Sequence, residues 1–231
     1  PPDEYYYGIF APSTDFGSYC GGSCITGLSM IAGPSDGWSR AGIGIGFSGT
    51  DSTETAAHEI GHEHGLGHTS CETWGGVDPA YTPADGSLGV WGYDLLEGQL
   101  IDPSTADIMG YCAPTWIGSY HWNLLFQRIQ LVNGAQAKVV AGTAGAGAGS
   151  YDRILVGAHG QARWSTPLEL GRAPSGEPTT VALTTPLGTV KKMGHFHRMS
   201  HLAGGVLLVP ATPGASSVTA KIGEFVLTAS R

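Results

Sequence analysis

The spacing of apolar positions changes character three times along the chain. Before residue 50, YYYGIF, AGIGIGF and, more weakly, GLSMIAG read as short strands, and no apolar run repeats at helical spacing. A helix is then predicted from about 51 or 52 to 64, opened by Asp51 and Glu54, whose spacing of three is that of a capping box. Glycines, prolines and aromatics from 72 to 110 suit a long ordered loop. Helical spacing returns in WIGSYHWNLLFQRIQLVNG, where Trp122, Leu125, Phe126 and Ile129 mark an apolar face, Ser119 a cap and Gly134 a stop. From residue 153 the pattern turns to RILVGA, ARWSTPLEL, TTVALTT, GTVKKM, GGVLLVP, SSVTAKI and EFVLTA, punctuated by Pro/Gly turns. Seven or so such runs predict a small antiparallel β-sandwich. The fold class is therefore α+β, with the β-rich part last.

Charge sharpens the division. Through Asn133 there are 15 acidic residues against Arg40 and Arg128, a net of −13; from Gly134 onward four acidic residues face nine basic ones, a net of +5. So abrupt a reversal predicts two units, 1–135 and 136–231, with the boundary near 134–140. AGTAGAGAGS, residues 141–150, is either a connector or a loop of the second unit. The acidity of the first part argues against nucleic acid as a partner and would favour basic peptides. No apolar run has membrane-spanning length.

The chemistry concentrates in HEIGHEHGLGH, residues 58–68. On a helix, His58 and His62 lie about 40° apart and one turn apart, close enough to share an ion, whereas His64 falls about 240° round from His58. Two glycines in three positions, Gly65 and Gly67, weaken the helix beyond His64. Gly65 then suits the left-handed residue that ends it and lets the chain swing His68 back toward the first two imidazoles. Three neutral nitrogens without a thiolate suit zinc, with the fourth position open as in catalytic rather than structural sites. Glu59 is placed to act as general base toward a water there. Glu63 and His64 are expected to be solvated or hydrogen-bonded away from the ion.

The full pattern HExxHxxGxxH, filled by His58, Glu59, His62, Gly65 and His68, resembles the long zinc motif of the metzincin endopeptidases. DIMGYC, residues 107–112, resembles that clan's methionine turn, which implies Met109 as an apolar floor beneath the ligands and Tyr111 as a tyrosine able to approach the zinc or steady the oxyanion. A helix after the methionine turn also resembles metzincin organisation. The clan usually carries a first strand and a long backing helix upstream. Only 57 residues precede His58, none of them convincingly helical, so a compact lineage or loss of upstream sequence is expected. The opening PPDEYYY, without initiator methionine or signal peptide, reads as a processed or trimmed product. In the clan, the segment between zinc helix and methionine turn walls the pocket for the residue after the scissile bond. Trp74, Tyr81, Trp91 and Tyr93 shape that pocket or simply pack.

The four cysteines lack the paired spacing of a four-thiolate zinc site and read better as disulfides. Cys71 lies three residues past His68 and Cys112 three past Met109, so that bridge would join both walls of the site, leaving Cys20 with Cys24. Disulfides place the protein outside the cell. Asp78, Asp85 and Asp94 are candidates for calcium without a fixed set. His195, His197 and His201 are readable as a second metal site or as exposed histidines near a turn. Together these residues predict a secreted zinc endopeptidase acting on protein or peptide. The competing class is an extracellular binding protein with a structural zinc site, which would need the histidines but not Glu59.

Overall fold

The computed structural model describes residues 4–73, 75–136 and 146–231. Contacts within the chain divide it into two compact units, 1–138 and 139–231.

The first unit holds a three-stranded sheet of β1 (Tyr6–Phe10), β2 (Gly27–Ser29) and β3 (Ala41–Ile45). Its order is β1-β3-β2, with β1 parallel and β2 antiparallel to β3. Between β1 and β2 lies one helical turn, α1 (Phe16–Tyr19), whose Ser18 N–H donates to the capping carboxylate of Asp15 at 2.8 Å. The long helix α2 (Thr50–Glu63) packs on β2 and β3. It starts one residue earlier than the sequence suggests. Gly49, at φ 128°, is the N-cap and makes no side-chain cap bond, so the Asp51–Glu54 capping box does not form. Asp51 lies inside the first turn instead, where the helix dipole favours its charge.

The loop beyond α2 carries two small pairings, the hairpin β4 (Gly92–Asp94) with β5 (Gln99–Ile101) and the parallel pair β6 (Ala106–Asp107) with β7 (Thr115–Trp116). α3 (Ser119–Gln136) closes the unit. Here the expected face is wrong. Ser119 is already helical, Gly134 lies within the helix, and Trp122, Phe126 and Ile129 are exposed. The inward stripe runs instead through His121 and Val132, with Leu125 and Arg128 half-buried between them. Its polar members find partners across the unit: Arg128 Nη2 donates to the Ala32 carbonyl at 2.7 Å, and His121 Nδ1 bonds to Asp107.

Two disulfides brace the unit, Cys20–Cys24 and Cys71–Cys112, and no cysteine is free. The second closes 41 residues, a constraint worth about 4 kcal/mol in a chain-entropy model. Such bracing matters because the interior is unusually polar: His58, Glu59, His62, Glu63, His68, Thr69, Asp107 and His121 are all buried.

The second unit is one antiparallel sheet rather than the two packed sheets of a sandwich. Its strands are β8 (Gly149–Val156), β9 (Ala162–Leu170), β10 (Glu177–Thr185), β11 (Gly188–Arg198), β12 (Gly205–Pro210), β13 (Ser217–Ile222) and β14 (Phe225–Ser230). In the order β14-β13-β10-β11-β12-β8-β9 the sheet curls until its two ends meet, Trp164 Nε1 on β9 donating to the Ala229 carbonyl on β14 at 3.2 Å. Twist accumulated over seven strands lets one sheet enclose its own core of Ile154, Val181, Leu183, Phe196, Leu207, Val209, Val218 and Leu227. Each such side chain contributes about 1.5–3 kcal/mol on burial. Among the described residues no helix is long and apolar enough to cross a membrane.

Candidate metal centre

α2 ends as its glycines dictate. Gly65 adopts φ 91°, its N–H donates to the His62 carbonyl at 2.7 Å, and the Leu66 N–H reaches back to Gly61 at 3.0 Å. This double closure is a Schellman motif, and it reverses the chain so that Leu66 buries and His68 returns along the helix. A short bridge between His68 and Val77 holds the returning strand.

The turn brings three imidazoles together. His62 Nε2 lies 3.1 Å from His58 Nε2 and 3.0 Å from His68 Nε2, and all three rings are buried. Each opposite nitrogen faces a backbone carbonyl: His58 Nδ1 that of Ile108 at 2.7 Å, His62 Nδ1 that of Leu66 at 2.8 Å, His68 Nδ1 that of Gly75 at 2.9 Å. A carbonyl only accepts, so every Nδ1 carries the hydrogen and every neutral ring presents an Nε2 lone pair to the same point. Three lone pairs converging in a buried site repel one another unless a cation stands between them. A tetrahedral zinc with bonds of about 2.0–2.1 Å would hold such nitrogens about 3.3–3.4 Å apart. The cluster fits zinc, and the carbonyls supply the outer shell that fixes tautomer and ring direction.

Met109 lies beneath, fully buried; a Cβ at Gly61 of α2 would come within 2.6 Å of its sulfur, so the helix meets the thioether at van der Waals distance only because Gly61 has no side chain. Tyr111 stands at the side, its hydroxyl 3.3 Å from His68 Nε2 and its ring 5.7 Å from that of His58. Burial, and then the charge of Glu59, pushes this phenol up to about 12, so it remains a proton donor near neutrality. The Cys71–Cys112 bridge and a Tyr111 N–H bond to the Cys71 carbonyl at 2.9 Å hold it there.

Glu59 is buried between α2 and β2. Ser29 Oγ donates to its Oε2 at 2.5 Å, and a Cβ at Gly27 would come within 2.5 Å of both its Cγ and its Oε1. The edge strand is thus shaped around this carboxylate. Sequence reading missed Ser29, because nothing in GLS marks a contact 30 residues away.

Other expectations change. Glu63 is fully buried beneath β3, not solvated, with Gly42 leaving it room; burial and the neighbouring Glu59 charge push its carboxyl up to about 7. His64 stays outside the cluster, stacked on Tyr5 at 4.2 Å with Nδ1 on the Ile60 carbonyl. Of the calcium candidates, Asp78 accepts from Tyr120 Oη of α3 and from Ala80 N–H, whereas Asp85, accepting from Ser87, and Asp94, accepting from the Leu96 and Glu97 N–H groups, close local turns. Among the described residues His195, His197 and His201 form no three-ligand group of their own. Trp74 lies outside the described residues. Tyr81 is buried against His121, while Trp91 and Tyr93 line, with Trp116 and Trp122, a groove of about 460 Å³ that none of the three clustered histidines borders.

No curated protein and no solved structure matches the chain. Residues 28–115, which carry most of β2, all of α2, the three histidines and Met109, match the family model described as Peptidase M66, and this match supports a metallopeptidase family for the acidic unit.

Proposed function

We propose that this chain is a secreted zinc-dependent endopeptidase of metzincin type, its catalytic domain spanning residues 1–135 and an accessory β-rich domain residues 136–231. The observation that carries the reading is the convergence of three tautomerically fixed Nε2 atoms beside a buried carboxylate. His58, His62 and His68 would hold the ion. Zinc, when bound, supplies Lewis acidity that lowers the pKa of a coordinated water toward about 7 and polarises the scissile carbonyl. Glu59 takes the water proton and returns it to the leaving nitrogen. Tyr111 donates its phenolic hydrogen toward the developing oxyanion. Two disulfides support the extracellular assignment.

The direct test is a mixed peptide library digested by the full chain before chelation, after chelation and after zinc is restored. Cleavage should vanish with the metal and return with it; cleavage that survives complete metal removal overturns the reading. The new termini report subsite preference in the same experiment.

The edge strand gives a second expectation. Gly27→Ala would force a methyl into the space of the Glu59 side chain, so peptide turnover should fall at least tenfold while zinc content stays at one per chain. Unchanged turnover would mean that the carboxylate does not work from the position seen here.

A further inference from the structure

The carbonyl that holds His58 belongs to a peptide group bonded at both ends. Ile108 C=O accepts from His58 Nδ1 at 2.7 Å, and the N–H of the same peptide, that of Met109, donates to Asp107 Oδ1 at 2.9 Å. The Asp107 carboxylate is itself fully buried and held by two further donors, His121 Nδ1 at 2.7 Å from α3 and Gly118 N–H at 2.8 Å. Tyr81 stacks on His121, ring centroids 5.1 Å apart, which helps fix the imidazole in place.

Resting on the reading of His58 as a zinc ligand, we propose that Asp107 is the positioning carboxylate of His58 and acts on it through the Ile108–Met109 peptide. A ligating histidine commonly gives its free N–H straight to a carboxylate, which orients the ring and raises its basicity. Here one peptide unit is inserted into that pair. A planar trans peptide presents its N–H and C=O in opposite directions, so a negative charge at the N–H end strengthens the carbonyl at the other. In a buried site that polarisation is poorly screened. The resulting series runs from His121 through Asp107 and the peptide to His58. It also gives a reason for an acidic residue two positions before Met109: the methionine turn is a connector between α3 and the metal helix as well as a floor. His58 has the shortest of the three Nδ1 contacts, 2.7 Å against 2.8 and 2.9 Å, in line with the stronger acceptor.

Histidine-labelled, zinc-loaded full chain tests this by proton–nitrogen NMR, with zinc uptake of the wild-type chain measured first. The Nδ1–H resonance of His58 should lie furthest downfield of the three ligands. In Asp107→Asn it should move upfield while those of His62 and His68 stay, and zinc affinity by chelator competition should weaken about 10–100-fold. A His58 resonance that is not the furthest downfield overturns the proposal, as does a uniform shift of all three in the variant or an affinity that does not change. If Asp107→Asn fails to fold, the order of the wild-type resonances decides alone. A wild-type chain that takes up no zinc would instead refute the proposed function, and this inference with it.

Discussion

Glu59→Gln should bind one zinc per chain and hydrolyse peptide at least about 10²–10⁴-fold more slowly than the unaltered protein. The substitution touches none of the three imidazoles. The amide oxygen of glutamine can still accept from Ser29 Oγ, which now donates to Glu59 Oε2 at 2.5 Å, so the side chain should stay where it is. What disappears is the ability to take a proton. The change also removes a negative charge one turn from the buried Glu63, whose raised carboxyl pKa owes part of its shift to Glu59. The variant should therefore melt no lower than the parent, and a slight rise would fit the usual opposition between stability and activity at a working site. Loss of turnover with full zinc and undiminished stability locates the defect in chemistry rather than folding. A variant that cleaves at the native rate would remove Glu59 from the mechanism, and a variant that loses zinc would show that the carboxylate shapes the metal site itself.

How much of this was readable beforehand depends on whether the signal is local. Helix α2, its end at Gly65 and the return of His68 follow from a few adjacent residues, because glycine's tolerance of positive φ and the 100° helical step act over a single turn. The seven strands of the second unit were legible for the same reason: alternation and turn residues are short-range. Their closure into one curled sheet was not, since it depends on the twist summed across all strands and on a contact between Trp164 and Ala229 that are 65 residues apart. α3 is less legible because apolar spacing alone does not mark its buried face. Two polar side chains bonded to distant partners, His121 to Asp107 and Arg128 to the Ala32 carbonyl, displace that face toward solvent. Glu63 is similar, being a charged residue type held in the interior beneath a strand whose inward positions are glycines. Within the site, ligand candidates were visible in the motif, whereas the groups that orient them were not. Carbonyls of Ile108, Leu66 and Gly75 carry no sequence signature, and neither does Ser29.

His68→Ala should cost far more zinc affinity than the about 10–100-fold that loss of an outer partner brings, because it takes one of three nitrogens from the ion itself. His64→Ala, four residues earlier in the same histidine-rich stretch, should leave affinity and turnover nearly unchanged. The two side chains differ in where the Schellman turn leaves them. His68 follows the turn, and its Nε2 comes to 3.0 Å from that of His62. His64 precedes it as the C-cap, with Nδ1 on the Ile60 carbonyl and its ring flat against Tyr5. Removing His64 takes away that stack, so some loss of thermal stability is expected, on the order of 0.5–1.5 kcal/mol. Zinc competition against a chelator and calorimetric melting, run on both variants, separate the two kinds of loss. In His68→Ala the remaining pair, His58 and His62 on one face of α2, should still bind the ion weakly, and added imidazole should recover part of the affinity by refilling the vacated position. If His64→Ala were the more damaging to zinc, α2 would have to continue past Gly65 in solution, and His64 would have to replace His68 in the metal site.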